Sequence, residues 1–242
     1  MRAIAIIPAR LASTRLPRKP LRSIAGRAMI EHVYRAAAAS PLLSEVIVAT
    51  DAAEIYNFCQ AKGMRVAMTS LECRSGTDRI REVAQTVAAD VYVNVQGDEP
   101  LARSEHIAAL LGVMGDGVSV GTLRTPLAAQ DAANPNVVKV VTDFRRRALY
   151  FSRSPIPYDR DGVGVQLYKH LGFYAYRKAS LDDFCRWPEA HLERVERLEQ
   201  LRFLENGTAI YVADTPYDTV GVDTDDDVKR VEAILKDRAP SE

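Results

Sequence analysis

The sequence contains no apolar run near the roughly 20 residues that a membrane-spanning helix needs, and its N-terminus lacks the basic flank, long apolar stretch and cleavage site of a secretory signal. A cytoplasmic protein with no membrane partner is the expectation. Net charge is absent as well. The 32 Lys and Arg residues stand against 32 Asp and Glu, so no overall field would gather nucleic acid. Cysteine is scarce, and Cys59, Cys73 and Cys185 are too widely spaced for a C-x-x-C zinc or redox motif, so reduced thiols are expected. No segment is of low complexity and no fixed period recurs, which sets aside disordered arms and solenoids. No spacing yields a Ser/His/Asp triad or a zinc set.

What is present is an ordinary globular composition, 47% hydrophobic and 26% charged over 242 residues, enough for one large domain. "AIAIIPA" (3–9) is an apolar strand, followed by a charged loop and by "AMIEHVYRAAAA", whose apolar residues fall at helical spacing. The alternation continues through strands at 45–50, 65–69 and 90–96, with helical stretches between them. Such alternation predicts βαβ units and a parallel sheet covered on both faces. The second half is less regular. Strands are expected in "VSVGTLRTPL", "NVVKVVTD", "ALYFS" and "YKHLGFYAYR", helices at 179–186 and 192–206, a strand at 209–214 and a final helix after Thr224. The expected sheet is therefore mixed.

Ligands of open α/β sheets bind beyond the carboxyl ends of the strands, so four segments that follow strands matter most. The loop after the first strand places Arg10, Arg15, Arg18 and Lys19 among prolines, where a G-x-G-x-x-G or G-x-x-x-x-G-K-[ST] motif would otherwise stand. It is either a phosphate-neutralising loop or a solvated basic one. In "VNVQGDEP" (93–100), Asp98 and Glu99 follow a buried strand directly, as ligands of a hard cation or as an acidic turn. In "VGVDTDDD" (220–227), Asp223 is either a second metal ligand or one more acid at a well-capped helix start. In "CRSGTDR" (73–79), Ser75, Gly76 and Thr77 offer hydroxyls and open backbone, for a ligand or simply for the helix cap. His170 and Tyr174 share one face of a strand, and Glu199 with Gln200 is expected on a helix.

Taken in order, "IIPARLASTRLPRKPL", "SGTDR", "VQGDEP", "ALYFSRSPIPY", "KHLGFYAY", "LEQLR" and "GVDT" resemble the 3-deoxy-manno-octulosonate (KDO) cytidylyltransferases, or CMP-KDO synthetases, over nearly the whole chain. The resemblance implies an α/β, Rossmann-like nucleotidyltransferase fold (the nucleotide-diphospho-sugar transferase type), with a mixed, mostly parallel sheet flanked by helices. It implies one domain over 1–242 with a dimerisation sub-lobe within about 125–205, a homodimer, and Mg²⁺-dependent transfer of CMP from CTP to KDO. Lys19, Arg15 and Asp98 would be catalytic, and Pro8, Ala9, Arg10, Arg15, Lys19, Ser75, Gly76 and Thr77 would bind CTP. Arg79, Gln96, His170, Tyr174 and Glu199 would contact the sugar, with Arg79 facing its carboxylate, and Asp98 and Asp223 would hold Mg²⁺. Two rivals are a cytidylyltransferase for a related acid sugar, such as 8-amino-KDO or a sialic acid, and a catalytically silent nucleotide-binding protein. Three positions depart from the family: Arg18 stands where it has glycine, "GRAMI" replaces "GKPMI", and Cys73 stands where histidine is frequent.

Overall fold

The computed structural model describes residues 1–11 and 16–238. The chain divides into two compact units, Met1–Ile107 with Thr219–Glu242, and Ala108–Asp218.

The first unit holds β1 (Ala3–Ala9), the short hairpin β2 (Ser23–Ile24) and β3 (Arg27–Ala28), α1 (Met29–Ala38), β4 (Glu45–Thr50), α2 (Ala53–Ala61), β5 (Val66–Met68), α3 (Gly76–Thr86) and β6 (Val91–Asn94). Its long strands lie in the order β5, β4, β1, β6, all parallel. Ile4, Ile6 and Ile7 have no exposed surface, because both faces of β1 are covered. That is why β1 reads as a continuous apolar run rather than an alternation. The chain steps outward from β1 to β4 to β5 and then returns to the other side of β1 for β6. The strand order therefore reverses between β1 and β6, which is where α/β sheets open a crevice for ligands.

Local chemistry sets the helix ends. Gly63, at φ 67°, ends α2 in the left-handed conformation. Ser75 opens α3 through a reciprocal cap with Asp78. Helix α4 (Ser104–Gly112) follows β6 and was not anticipated from sequence.

The second unit contains β7 (Val120–Pro126), β8 (Lys139–Thr142), β9 (Ala148–Ser152), β10 (Tyr168–Tyr176), α5 (Lys178–Arg186), α6 (His191–Glu196), α7 (Leu201–Glu205) and β11 (Ile210–Asp214). Strand β7 pairs with β11 in parallel and with β10 antiparallel, while β8 pairs antiparallel with both β10 and β9. The single helix expected over 192–206 is two short helices. Arg197 turns left-handed at φ 56° and ends α6, so Glu199 and Gln200 lie in the turn rather than on a helix. The break lets Leu198 and Leu201 both bury, and Arg202 clips the pieces together with two hydrogen bonds to Glu193, at 2.5 and 2.8 Å.

The chain returns to the first unit for α8 (Asp225–Arg238). Thr224 and Asp227 cap it reciprocally, and Val228 and Val231 bury against Leu16, Ile24, Met29, Leu101 and Val222. Among the described residues no helix is long and apolar enough to cross a membrane.

Candidate active site

Lys19–Leu21 form a single turn of 3-10 helix, with Pro20 fixing the backbone beside the lysine. Lys19 Nζ donates to Asp98 at 2.6 Å and to Asp223 at 2.8 Å. Asp98 sits in the turn after β6 and Asp223 just before α8. A backbone hydrogen bond from Val222 to the Asp98 carbonyl, 2.9 Å long, joins the two segments. Burial works against the charge on Lys19, but Asp98 and then Asp223 outweigh it and hold the ammonium above its ordinary value. The lysine side chain is only 13% exposed, whereas those of Asp98 and Asp223 are 39% and 45% exposed. One cation is thus shared by two carboxylates that still open to solvent.

The ammonium acts here as a stand-in cation, showing that the two carboxylates are arranged to share one positive charge. This donor set fits a hard divalent ion, which takes one or two carboxylates and completes its shell with water and phosphate oxygens. Among the described residues no group of three or more His, Cys, Asp or Glu side chains could hold a metal ion.

Around this centre the strand ends are packed closely. A Cβ on Gly97 would lie 2.7 Å from the Pro8 carbonyl oxygen, so only glycine lets the turn after β6 approach the end of β1. A Cβ on Gly76 would come within 3.2 Å of the Pro8 ring, which seats the first turn of α3 against the same strand end. Pro8, Ser75, Gly76 and Thr77 are thereby brought together, with Ala9 buried in β1 and Arg10 exposed just beyond it. Arg15 lies outside the described residues. Cys73 donates to Glu82 at 3.1 Å, and burial together with that carboxylate pushes its thiol up to about 12. Glu82 also accepts from the backbone N–H of Ser70. A thiol–carboxylate contact therefore stands at this position.

Two sequence assignments acquire unexpected surroundings. Arg79 is 4% exposed, and its guanidinium donates to Asp51 at 2.5 Å, to Thr69 Oγ1 at 2.7 Å and to the Ser70 carbonyl at 3.3 Å. A substrate carboxylate would have to compete with Asp51 for it. Arg18, the extra cation of the loop, adopts φ 54°, a left-handed conformation costly to any residue with a Cβ, and its guanidinium pairs with Glu54. This explains why glycine suits that position. Gln96 is half-buried in the turn leading to Asp98.

His170 and Tyr174 project from β10 in the second unit, their ring centroids 5.5 Å apart. Strand β10 carries two extra residues between Leu171 and Tyr174 relative to β7, an even number that keeps both side chains on one face. Burial, with Lys169 adjacent, pushes the His170 imidazole down to about 3, so it is neutral at physiological pH. Burial, with Tyr176 and Glu199 nearby, holds the Tyr174 phenol well above its ordinary value. Glu199 therefore belongs with Tyr174, and beside it the buried Gln200 carries an amide nitrogen with no partner among the described residues. Neither Asp51 nor Thr69 was singled out from sequence, because an ordinary acid and hydroxyl give no local signal of a partner 28 and 10 residues away.

Four parallel strands that reverse order beside a cationic loop, with a cation-sharing carboxylate pair at the same crevice, define a nucleotidyltransferase. Residues 4–210 match the family model described as cytidylyltransferase. A protein of Koribacter versatilis is 66% identical over 98% of this chain and 92% of its own length, and one of Acidobacterium capsulatum is 53% identical over 98% of both; each is named 3-deoxy-manno-octulosonate cytidylyltransferase. A solved structure of CMP:2-keto-3-deoxy-manno-octonic acid synthetase complexed with CTP superposes with a TM-score of 0.94 at 42% identity, covering 98% of this chain and 99% of that one. A cytidylyltransferase of Leptospira borgpetersenii, at 14% identity and a TM-score of 0.63, shares the fold. The chain belongs to the 3-deoxy-manno-octulosonate cytidylyltransferase family.

Proposed function

We propose that the protein transfers CMP from CTP to the anomeric hydroxyl of KDO, releasing pyrophosphate, with Mg²⁺ held by Asp98 and Asp223. The observation that carries this reading is Lys19 poised between those two carboxylates at the switch point of the sheet. The sugar oxygen forms a bond to the α-phosphorus as the bond to the β-phosphate oxygen breaks, and negative charge accumulates on phosphate oxygens. When bound, Mg²⁺ supplies charge neutralisation at those oxygens. Lys19, with Arg10 and Arg15, neutralises the triphosphate, its ammonium exchanging the two carboxylates for phosphate oxygens when the divalent ion takes its place, while the Pro20 turn restrains the backbone beside it. Pro8, Ala9, Ser75, Gly76 and Thr77 line the cytidine. Gln96, His170, Tyr174 and Glu199 take the sugar, joined by the Gln200 amide, and Arg79 reaches its carboxylate only by exchanging Asp51.

The product would serve bacterial lipopolysaccharide or capsule synthesis in the cytoplasm. A homodimer formed through the 125–205 sub-lobe is supported by Phe144, Leu149, Tyr158, Val163 and Val195, large apolar side chains standing exposed there. Sedimentation of the protein as a monomer at micromolar concentration would remove that element. Activity is tested by incubating the protein with CTP, KDO and Mg²⁺ and following pyrophosphate. Release well above a no-sugar control is expected, and its absence sinks the reading. A panel including 8-amino-KDO and sialic acid decides the sugar.

A further inference from the structure

Thr122, on β7 and fully buried, is the residue whose hydroxyl meets the His170 ring, with Oγ1 3.0 Å from Nε2. The same oxygen lies 2.8 Å from the Phe173 carbonyl and 3.4 Å from the Leu171 carbonyl. Leu171 is the last residue in register before the irregularity of β10 and Phe173 is the second of its two extra residues, where the regular ladder to β7 is interrupted. The threonine hydroxyl is placed to donate to one of these carbonyls. Phe151, whose ring meets His170 edge-on at 4.9 Å, and Tyr174 fix the plane of the imidazole.

A hydroxyl has one proton and two lone pairs. Both carbonyls can only accept, so the Thr122 proton goes to Phe173, the nearer of the two. If the hydroxyl were turned toward Nε2 instead, its lone pairs would face a carbonyl oxygen 2.8 Å away in a buried setting. The contact with the ring is then made the other way, with Nε2–H donating to Thr122 Oγ1. In the neutral imidazole that leaves Nδ1 carrying a lone pair and no proton.

We infer that Thr122 is a positioning residue that locks His170 in its Nε2–H tautomer, so that His170 meets the acid sugar as a hydrogen-bond acceptor for one of its hydroxyl groups, not as a cation for its carboxylate. The direction of the Nε2–H contact follows from the geometry and the bare Nδ1 from the neutrality of the buried ring; the role toward a sugar hydroxyl rests on the reading of His170 as a sugar contact. Thr122 touches no substrate in this scheme. Its hydroxyl decides which nitrogen of the neighbouring ring carries the proton, and thereby which polarity of group that ring accepts.

Nitrogen-15 NMR of the ligand-free protein at neutral pH reads the tautomer directly. A neutral His170 ring protonated at Nε2 is expected in the wild type and in Thr122→Ser, and a mixture of tautomers in Thr122→Val. A wild-type ring protonated at Nδ1 or at both nitrogens overturns the inference, as does an undisturbed Nε2–H pattern in Thr122→Val. In steady-state assays, Thr122→Val should raise KM for the sugar about fivefold to tenfold, the worth of one hydrogen bond, and leave KM for CTP unchanged, with Thr122→Ser restoring it. Should Thr122→Val fail to fold, the wild-type spectrum and Thr122→Ser still decide. An Nε2–H ring combined with unchanged sugar KM in His170→Ala would overturn the sugar contact while leaving the tautomer lock standing.

Discussion

Lys19, Asp98 and Asp223 on the one hand, and Thr122, His170 and Tyr174 on the other, use opposite physics. The first group is charged, with carboxylates open to solvent and an ammonium whose charge is reinforced by its neighbours. The second is neutral, packed between rings, and titrates far from physiological pH. On the proposed reading, the first would hold a polyphosphate and a divalent ion, which calls for charge that solvent and ligands can reach. The second would distinguish one polyhydroxy acid from another, which calls for oriented hydrogen bonds, and here orientation comes from burial against neighbours such as Phe151 and Thr122. The two groups also differ in how far the surrounding fold depends on them.

Removing charge at the first centre should give the largest functional effect with the smallest structural one. Lys19→Ala is expected to lower turnover on the order of a hundredfold to a thousandfold, while stability changes by within about 1 kcal/mol, since its partners are half-exposed. Losing melting temperature in step with rate would break the contrast. Asp98→Asn should shift the Mg²⁺ titration to much higher concentration, and an unchanged titration would contradict its role as ligand.

The buried pair Arg79 and Asp51 tests whether every charge in the first unit behaves this way. Arg79→Ala strands Asp51 and is expected to cost about 3 to 5 kcal/mol in denaturant unfolding, far more than Lys19→Ala. Equal stability losses for the two variants would mean that Arg79 is as weakly tied to the fold as an ordinary surface charge.

At the second group the expected effect is smaller and depends on pH. The His170 pKa in the folded chain, about 3, lies below its ordinary 6.5, so the unfolded chain takes up the proton first as pH falls. The stability that the neutral ring contributes is intact above the ordinary value and is lost progressively as pH drops from there toward 3. His170→Gln should therefore show a shallower fall of melting temperature on acidification than the wild type. Parallel curves would refute the assignment. Smallest of all, Arg18→Gly relieves a left-handed backbone and loses only an exposed pair with Glu54, so a gain of about 1 kcal/mol is expected. A measured loss would show that the Glu54 contact outweighs the strain.

Much of the first unit was legible in the sequence because its signals are local. The apolar runs at 3–9 and 45–50 are strands over those same residues, Gly63 ends α2, and Ser75 and Thr224 cap α3 and α8. The second unit was read less well because its deciding features carry little local signature. Arg197 breaks a periodic stretch without being glycine or proline, and the interruption of β10 shows only against its pairing with β7.

By itself, the sequence determined the alternation of strands and helices, the cationic loop, the two acidic strand-end motifs and, through their order, the family. Period, capping chemistry and motif spacing are properties of the chain read along its length. Only the tertiary structure decided that Asp98 and Asp223 share one ammonium, that Arg79 is held by Asp51, and that Thr122 meets the ring of His170. Each of those depends on groups far apart in sequence meeting within hydrogen-bond distance, which strand order and register alone arrange.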